Sequence, residues 1–263
     1  SLVVAGFAKI DEADSVVQDI LKLGPATIEM VDRHLLEFIE KHYPNQLKGL
    51  LEAPFPEILL LIEFDDLGKA IQSKKVKKLS KILDRVTNDY QVTTDYDERD
   101  ELWKIRHSAA AVIAHTEGTK KALPIIEDGV VPADKFKEFI HSIYALFKKY
   151  NLESAVWGHA GNANLHMQPF LDLATTSDRQ KVFKIMDEYY AMVMKLGGST
   201  AGEQNDGRLR APYLPELYGP EIYKLFEATK KIFDPHSILN PGEKIGVTKE
   251  DQLRELRQEY NMN

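Results

Sequence analysis

Residues 154 to 171 read SAVWGHAGNANLHMQPFL, two strand-like segments joined by a run of turn-forming residues. The first segment is short and apolar, and apolar residues recur at every second position from Leu165 onward, which is typical of strands. Gly and Asn residues between the segments favour a turn. His159 and His166 would point to opposite faces of one straight strand, but a turn between them can bring both to one place. The stretch therefore predicts a β-hairpin that carries two histidines.

A carboxylate follows in a second loop, at Glu203, between Gly202 and Gly207. Two imidazoles and one carboxylate form a ligand set that divalent metals use. The histidine spacing is not the i,i+4 signature of a helical metal motif, so an ordinary polar hairpin is the alternative interpretation. The Glu203 loop favours the metal, and we take His159, His166 and Glu203 as the candidate ligands.

The composition excludes several classes of function. The chain has 263 residues, a formal net charge of -7 and no cysteine, and its length fits one large domain or two small ones. The negative charge argues against nucleic acid as the main partner, because phosphate binding needs a basic surface. The lack of cysteine excludes disulfides, thiol catalysis and a cysteine-ligated iron–sulfur cluster in this chain. It also fits a reducing compartment such as the cytoplasm.

Two further patterns are missing from the sequence. The longest apolar run, 58–62, is far too short to span a bilayer. We find no glycine-rich phosphate-binding motif, so a nucleotide-binding half is not expected within this chain. The chain also begins with Ser rather than Met, which suggests a piece of a longer protein.

The order of elements predicts an α+β fold. Strands are predicted at 2–8, 26–31, 57–64, 91–94, 123–131, 154–157 and 165–171. Helices are predicted at 11–23, 33–42, 65–87, 97–116, 134–150, 177–196, 215–233 and 249–260, with Asp32 as the N-cap of the second. Such runs suit ferredoxin-like units, in which helices cover an antiparallel sheet, with additional C-terminal helices.

Six segments, in order along the chain, resemble the signature segments of FAD-linked oxidases. The hairpin sequence GHAGNANLH is similar to the family pattern GHxGDGNLH. The other five are IEMVD at 28–32, LWKIR at 102–106, EDGVVP at 127–132, GEQNDGR at 202–208 followed by PYL at 212–214, and FDP at 233–235 followed by ILNPGEK at 238–244. The resemblance is to the glycolate oxidase, D-lactate and D-2-hydroxyglutarate dehydrogenase group of the vanillyl-alcohol oxidase superfamily. It covers nearly the whole chain.

The resemblance implies a domain assignment and a set of residue roles. Residues 1–263 would be the C-terminal substrate or cap domain, with the N-terminal FAD-binding domain absent. His159, His166 and Glu203 would hold a divalent metal (Zn, Mn or Fe) that polarises the hydroxyl of a small D-2-hydroxy acid. Arg106 would act in catalysis by pairing with the substrate carboxylate. The remaining roles would be substrate binding by Gln168 and contact with the flavin cofactor or its domain by Asn164, Asn240 and Lys244.

Two positions depart from the family pattern. The family places a histidine, the general base, directly after the ligand glutamate, and this chain has Gln204 at that catalytic position. Glutamine cannot take a proton at neutral pH, so base catalysis of the usual kind is in doubt. Asn162 and Ala163 replace the usual Asp-Gly; both pairs can turn, although alanine tolerates a positive φ poorly.

Three functions remain open. The first is the substrate half of an FAD-dependent 2-hydroxy-acid dehydrogenase, with a flavin-binding domain as partner and an iron–sulfur or other electron-transfer partner as an option. The second is a non-catalytic binding module that has lost its general base. The third is a metal-dependent hydrolase, since three protein ligands leave a position for water. We expect a cytoplasmic protein, with peripheral association at the inner membrane as an option.

Overall fold

The computed structural model describes residues 1–107, 109 and 118–256. Over these ranges the strands are β1 (Leu2–Phe7), β2 (Thr27–Asp32), β3 (Ile58–Glu63), β4 (Tyr90–Thr93), β5 (Lys121–Ala122), β6 (Gly129–Val130), β7 (Ser154–His159) and β8 (Asn164–Leu171). The helices are α1 (Ile10–Leu21), α2 (Arg33–His42), α3 (Lys69–Leu83), α4 (Tyr96–His107), α5 (Phe136–Tyr150), α6 (Thr176–Lys195), α7 (Leu214–Phe233) and α8 (Lys249–Glu255). The α+β class is confirmed.

One antiparallel sheet contains two ferredoxin-like units side by side. In the first unit the strand order is β4-β1-β3-β2, with α1 and α3 as the crossover helices. The second unit repeats this arrangement with β6, β7 and β8, and an isolated bridge from Val130 to Ser199 takes the place of the fourth strand. The units join through β2 and β7, where Glu29 pairs with His159 and Val31 with Trp157.

Alternating side chains give the sheet an apolar core on each face. In β1, Val3 and Phe7 face a core that also takes up apolar residues of α1, α3, α5 and α6. Leu2 and Val4 face the second core, which α2 and α4 cover. Because successive residues of a strand point to opposite faces, a slip of one residue would exchange the side chains between the two cores. The second face is the one on which the candidate ligands lie.

The predicted strand 123–131 is wrong except at Gly129–Val130, which form β6. Both β6 and the preceding β5 pair with β8, and the residues between β5 and β6 leave the sheet. Pro124 has no N–H to give to a ladder, and Asp128 adopts φ 61°, which turns the chain away from an extended path. The apolar residues between these points are buried in the core without forming a strand.

The predicted bounds of the helices differ less from the structure. Helix α3 begins at Lys69 rather than at residues 65–66, because Gly68 before it is extended (φ -106°, ψ 117°). Helix α7 is broken at Gly219, where φ is 78° and Pro220 follows. The predicted ends at 116 and 260 lie outside the described residues.

Asp32 ends β2 and caps α2, as its position in the sequence predicts. Its Oδ1 accepts a hydrogen bond from the Leu35 N–H at 2.9 Å, and its Oδ2 accepts one from the Tyr144 hydroxyl at 3.2 Å. Its side chain is buried, so both donors would lose their partner if the carboxylate were removed.

We expect Asp32→Ala to lower the free energy of unfolding by about 2 to 4 kcal/mol, the sum of a lost cap and an orphaned buried hydroxyl. Urea denaturation would measure this. Thr248→Ala is the matched control, since Thr248 caps the exposed helix α8 and should cost about 1 kcal/mol or less. Equal losses in the two variants would contradict the role assigned to Asp32.

Candidate metal centre and active site

The hairpin places both histidines on one face of the sheet. Strands β7 and β8 pair with Trp157 opposite His166 and with His159 opposite Asn164. Directly paired residues share a face, and the rings of His159 and His166 lie 5.6 Å apart between centroids. A short turn at residues 160–162 and Ala163 at φ 51° close the hairpin. The turn thus brings the histidines together, as expected.

Glu203 reaches this pair from the loop that follows α6. Its Oε1 lies 3.0 Å from His166 Nε2 and 3.4 Å from His159 Nε2. One ligand atom from each residue lies within 4.8 Å of the other two. His166 is buried while Glu203 is exposed, so the cluster opens to solvent on the Glu203 side.

Asp128 holds the Glu203 loop against the hairpin. Its carboxylate accepts the backbone N–H groups of Glu203 at 3.1 Å and Gln204 at 2.9 Å. The Asn164 side-chain amide also donates to it, at 3.3 Å. Arg210 lies 3.4 Å away and balances its buried charge. Asp128 lies in the EDGVVP segment at 127–132 that resembles the family pattern, but the resemblance implied no role for it.

Glu29 is a second residue that the sequence did not single out. It lies on β2 opposite His159, whose Nδ1–H donates to its Oε1 at 2.7 Å. Arg106, on α4, donates from Nε to the other oxygen at 2.8 Å. Burial raises the pKa of Glu29, but the hydrogen bond from His159 and the charge of Arg106 outweigh it and hold that pKa below its usual range. The same hydrogen bond raises the pKa of His159.

Strand β8 carries three buried polar side chains on the face of the site. Asn164, His166 and Gln168 each have a polar atom with no hydrogen-bond partner among the described residues, namely Oδ1, Nδ1 and Oε1. The carboxylate oxygen nearest to His166 Nδ1 is Glu127 Oε2, at 3.7 Å. An orphaned buried polar atom costs about 1 to 3 kcal/mol, so three on one strand indicate a surface built to meet a ligand or water.

These observations fit a divalent metal. Two imidazole nitrogens and one carboxylate oxygen converge, and three such ligands with an open side are typical of a catalytic metal. The Nδ1–H of His159 is taken by Glu29, which leaves its Nε2 as the donor atom; such carboxylate partners commonly orient metal-binding histidines.

Comparison with known proteins identifies a family. Residues 1–243 match the family model described as FAD linked oxidases, C-terminal domain. The chain belongs to this family. The glycolate oxidase subunit GlcD of Bacillus subtilis is 30% identical over 243 residues, which are 91% of this chain and 49% of the relative.

Other relatives carry related names. The D-2-hydroxyglutarate dehydrogenase of Haemophilus influenzae is 30% identical over 85% of this chain and 23% of the relative. The D-lactate dehydrogenase of Archaeoglobus fulgidus is 28% identical over 88% of this chain and 48% of the relative. A solved 4-ethylphenol oxidase from Gulosibacter chungangensis has a TM-score of 0.66 at 14% identity, covering 95% of this chain and 54% of that one; this similarity shows the fold alone.

The chain therefore spans about half or less of the length of these curated relatives. Among the described helices, none is both long and apolar enough to cross a membrane.

The other candidate site residues lie in two different places. Arg106 and Gln168 lie on the same face as His159 and His166, and Gln204 is exposed beside Glu203. Asn240 and Lys244 lie elsewhere, in a cleft of about 750 Å³ against α7. Lys244 donates to Asn205 Oδ1 at 2.7 Å, so this cleft adjoins the loop that carries Glu203.

The Glu29–His159 pair gives the metal-free protein a pH-dependent stability. The raised pKa of His159 means that the folded protein binds this proton more tightly than the unfolded chain. Its contribution is complete below about pH 6.5 and is lost as the pH rises through the folded-state pKa. The lowered pKa of Glu29 keeps the carboxylate charged at that pH; its own contribution is lost only as the pH falls below the unfolded value of about 4.3.

We therefore expect His159→Gln to destabilise the chain more at about pH 5.5 than at about pH 8.5. Urea denaturation with a chelator present would measure both. In a Glu29→Gln background the pH dependence of the substitution should become smaller, because only the charge of Glu203 then raises the pKa of His159. An equal cost at the two pH values would show that the ion pair does not carry this stability.

Proposed function

We propose that this chain is the substrate-binding half of an FAD-dependent dehydrogenase that oxidises a small D-2-hydroxy acid to the 2-oxo acid. The observation that carries the proposal is that an arginine and a His/His/Glu cluster lie on one face and share a carboxylate. Arg106 Nε and His159 Nδ1 both bind Glu29. A 2-hydroxy acid has a carboxylate and a hydroxyl on adjacent carbons, which match a guanidinium and a metal side by side.

The residues of this chain bind and orient the acid. Arg106 uses only Nε for protein contacts among the described residues, so its two Nη groups can take a carboxylate in bidentate fashion. Gln168 is buried on the same strand face as His166, with an acceptor oxygen without a protein partner. It suits the role of a hydrogen-bonding group for the substrate.

The metal and the flavin supply the remaining chemistry. A Zn, Mn or Fe ion held by His159, His166 and Glu203 would polarise the substrate hydroxyl. The flavin, bound mainly outside this chain, would accept the hydride. The names of the relatives, glycolate oxidase, D-lactate dehydrogenase and D-2-hydroxyglutarate dehydrogenase, support this class of substrate.

Gln204 favours a second candidate function, a module that binds the acid without oxidising it. Its side chain cannot act as a base, and its backbone N–H is fixed by Asp128 at 2.9 Å. The loop that holds the family's base is therefore in place while the proton acceptor is missing. A metal-dependent hydrolase would use the same three ligands, but membership of an FAD-linked oxidase family favours the oxidoreductase.

Metal binding and turnover test the proposal together. We expect the chain to bind zinc or manganese at one ion per chain. With its flavin-binding half added, it should reduce a dye when given glycolate, D-lactate or D-2-hydroxyglutarate. His166→Ala should lower kcat/KM by at least about 100-fold, because it removes a ligand. The control His34→Ala changes an exposed histidine at the start of α2, outside both the candidate ligands and the docking face proposed below, and should leave metal content and turnover intact.

The metal-binding and turnover measurements also distinguish between the candidate functions. Absence of stoichiometric metal would reject both the dehydrogenase and the hydrolase. Metal-dependent binding of the acid without dye reduction would support the binding module, and Gln204→His should then introduce turnover. Dye reduction by the unchanged chain would show that Gln204 does not prevent oxidation.

We propose that the flavin-binding half docks on α7 and the segment after it. This region exposes large apolar side chains, namely Tyr218, Ile222, Leu225, Ile232, Phe233, Ile238 and Leu239. Leu225 and Ile232 lie seven positions apart, on one face of the helix, and are 60% and 75% exposed. A group of exposed large apolar side chains on one face is typical of an interaction site. This face is continuous with the cleft of Asn240 and Lys244, and the GlcD relative is about twice as long as this chain.

We expect the double variant Leu225→Lys, Ile232→Lys to weaken binding of the separately produced flavin-binding half by at least about tenfold, because it places charges in an apolar contact. Analytical ultracentrifugation of the mixed halves would measure this. Leu67→Lys is the matched control, since Leu67 is an exposed leucine outside this face. Unchanged binding in the double variant would reject α7 as the docking face.

A further inference from the structure

Glu29 contacts both subsites of the proposed active site. One oxygen accepts from His159 Nδ1 at 2.7 Å and from the Thr27 hydroxyl at 2.8 Å. The other accepts from Arg106 Nε at 2.8 Å. The side chain is only 6% exposed, so water does not compete effectively for these contacts.

Each contact fixes one property that the proposed site needs. A histidine whose Nδ1 carries the proton presents a lone pair on Nε2, the atom that faces Glu203 at 3.4 Å. An arginine held at Nε keeps its plane fixed and presents its two outer nitrogens as a fork. Glu29 is the only group among the described residues with a hydrogen bond to both side chains.

The position of Glu29 in the fold makes this link rigid. Glu29 lies on β2, the strand of the first ferredoxin-like unit that borders the second unit, and it pairs with His159 on β7 of that second unit. Arg106 comes from α4, which packs over β2 on the same face. A single carboxylate therefore ties together a helix and two strands that are distant in the sequence.

We infer that Glu29 is a positioning residue that sets the tautomer of His159 and the orientation of Arg106 together, so that the metal subsite and the carboxylate subsite form as one unit. This inference rests on the proposed function. It assigns Glu29 to the interior of the site without any direct contact with the substrate.

Glutamine is the informative substitution at this position. A carboxylate has two acceptor oxygens, whereas a glutamine amide has one acceptor and one donor. Glu29→Gln can accept from either His159 or Arg106, and it must present an N–H group to the other. The substitution keeps the size of the side chain while breaking one of the two links.

The chain offers a matched control at Glu63. It lies on β3, its side chain is 18% exposed, and it forms an ion pair with Arg99 of α4 at 3.2 Å. Glu63→Gln therefore removes a similar contact between α4 and the sheet, away from the candidate ligands. Circular dichroism would confirm that both variants fold. If Glu29→Gln does not, Glu29→Asp replaces it, since the shorter side chain withdraws both oxygens while keeping the charge.

Three measurements on the wild-type chain and the two variants test the inference. Long-range 1H–15N NMR reports the tautomer of His159 in the metal-free chain, at a pH above the raised pKa of His159 where the ring is neutral. A competition titration gives the affinity for Zn2+ alone. Titration of the zinc-loaded chain with D-lactate gives the affinity for the acid.

We expect His159 to carry its proton on Nδ1 in the wild type and in Glu63→Gln, and to become a mixture of tautomers in Glu29→Gln. Zinc affinity should fall about 10- to 100-fold in Glu29→Gln, the usual effect of losing a partner of a metal-binding histidine. D-lactate affinity should fall about tenfold, as expected for one misplaced charge-assisted contact.

Two results would overturn the inference while leaving the proposed function intact. The first is zinc binding by the wild type with no loss of affinity and no change of tautomer in Glu29→Gln. The second is an equal loss in Glu63→Gln, which would mark the effect as general destabilisation. Failure of the wild-type chain to bind zinc, with His159 still fixed as the Nδ1–H tautomer, would reject the proposed function instead.

Discussion

The antiparallel pairing of β2 with β7 is the contact on which the rest of the site depends. It joins the two ferredoxin-like units and places Glu29 opposite His159 and Val31 opposite Trp157. A slip of one residue would turn every side chain of one strand to the other face. Such a slip is costly because it would turn Glu29 or His159 into the apolar core of the opposite face. The packing of Val31 and Trp157 thus fixes the position of the charged pair beside them.

The site concentrates polar groups where the sheet would otherwise be apolar. Glu29 and Arg106 satisfy each other's charge at 2.8 Å, which limits the cost of their burial. Asn164, His166 and Gln168 are less well satisfied, since each retains an atom without a protein partner among the described residues. Violations of the usual pairing rule are expected at functional sites. Their position on one face of β8 therefore agrees with the chemistry assigned to this surface.

The sequence predicted local features better than long-range ones. The cap at Asp32, the hairpin and the grouping of His159 with His166 follow from periodicity and turn residues that are near in the chain. Glu29 could not be recognised in this way, because no local pattern shows that β2 pairs with β7. The apolar run at 123–131 resembles a strand locally, and its apolar residues are buried. A distant contact again decides the outcome, because Asp128, which has a positive φ, binds a loop 75 residues later in the chain.

Ala163 shows how the turn between the histidines is maintained. It has φ 51°, a left-handed conformation that costs a residue with a side chain about 1 to 2 kcal/mol. Its methyl group is completely buried, and its carbonyl accepts the Val131 N–H at 3.2 Å. The hydrophobic core therefore holds the turn closed before any ligand arrives. The conformational entropy of this loop is lost during folding, so a ligand that enters between His159 and His166 meets a preorganised site and does not have to order the loop itself.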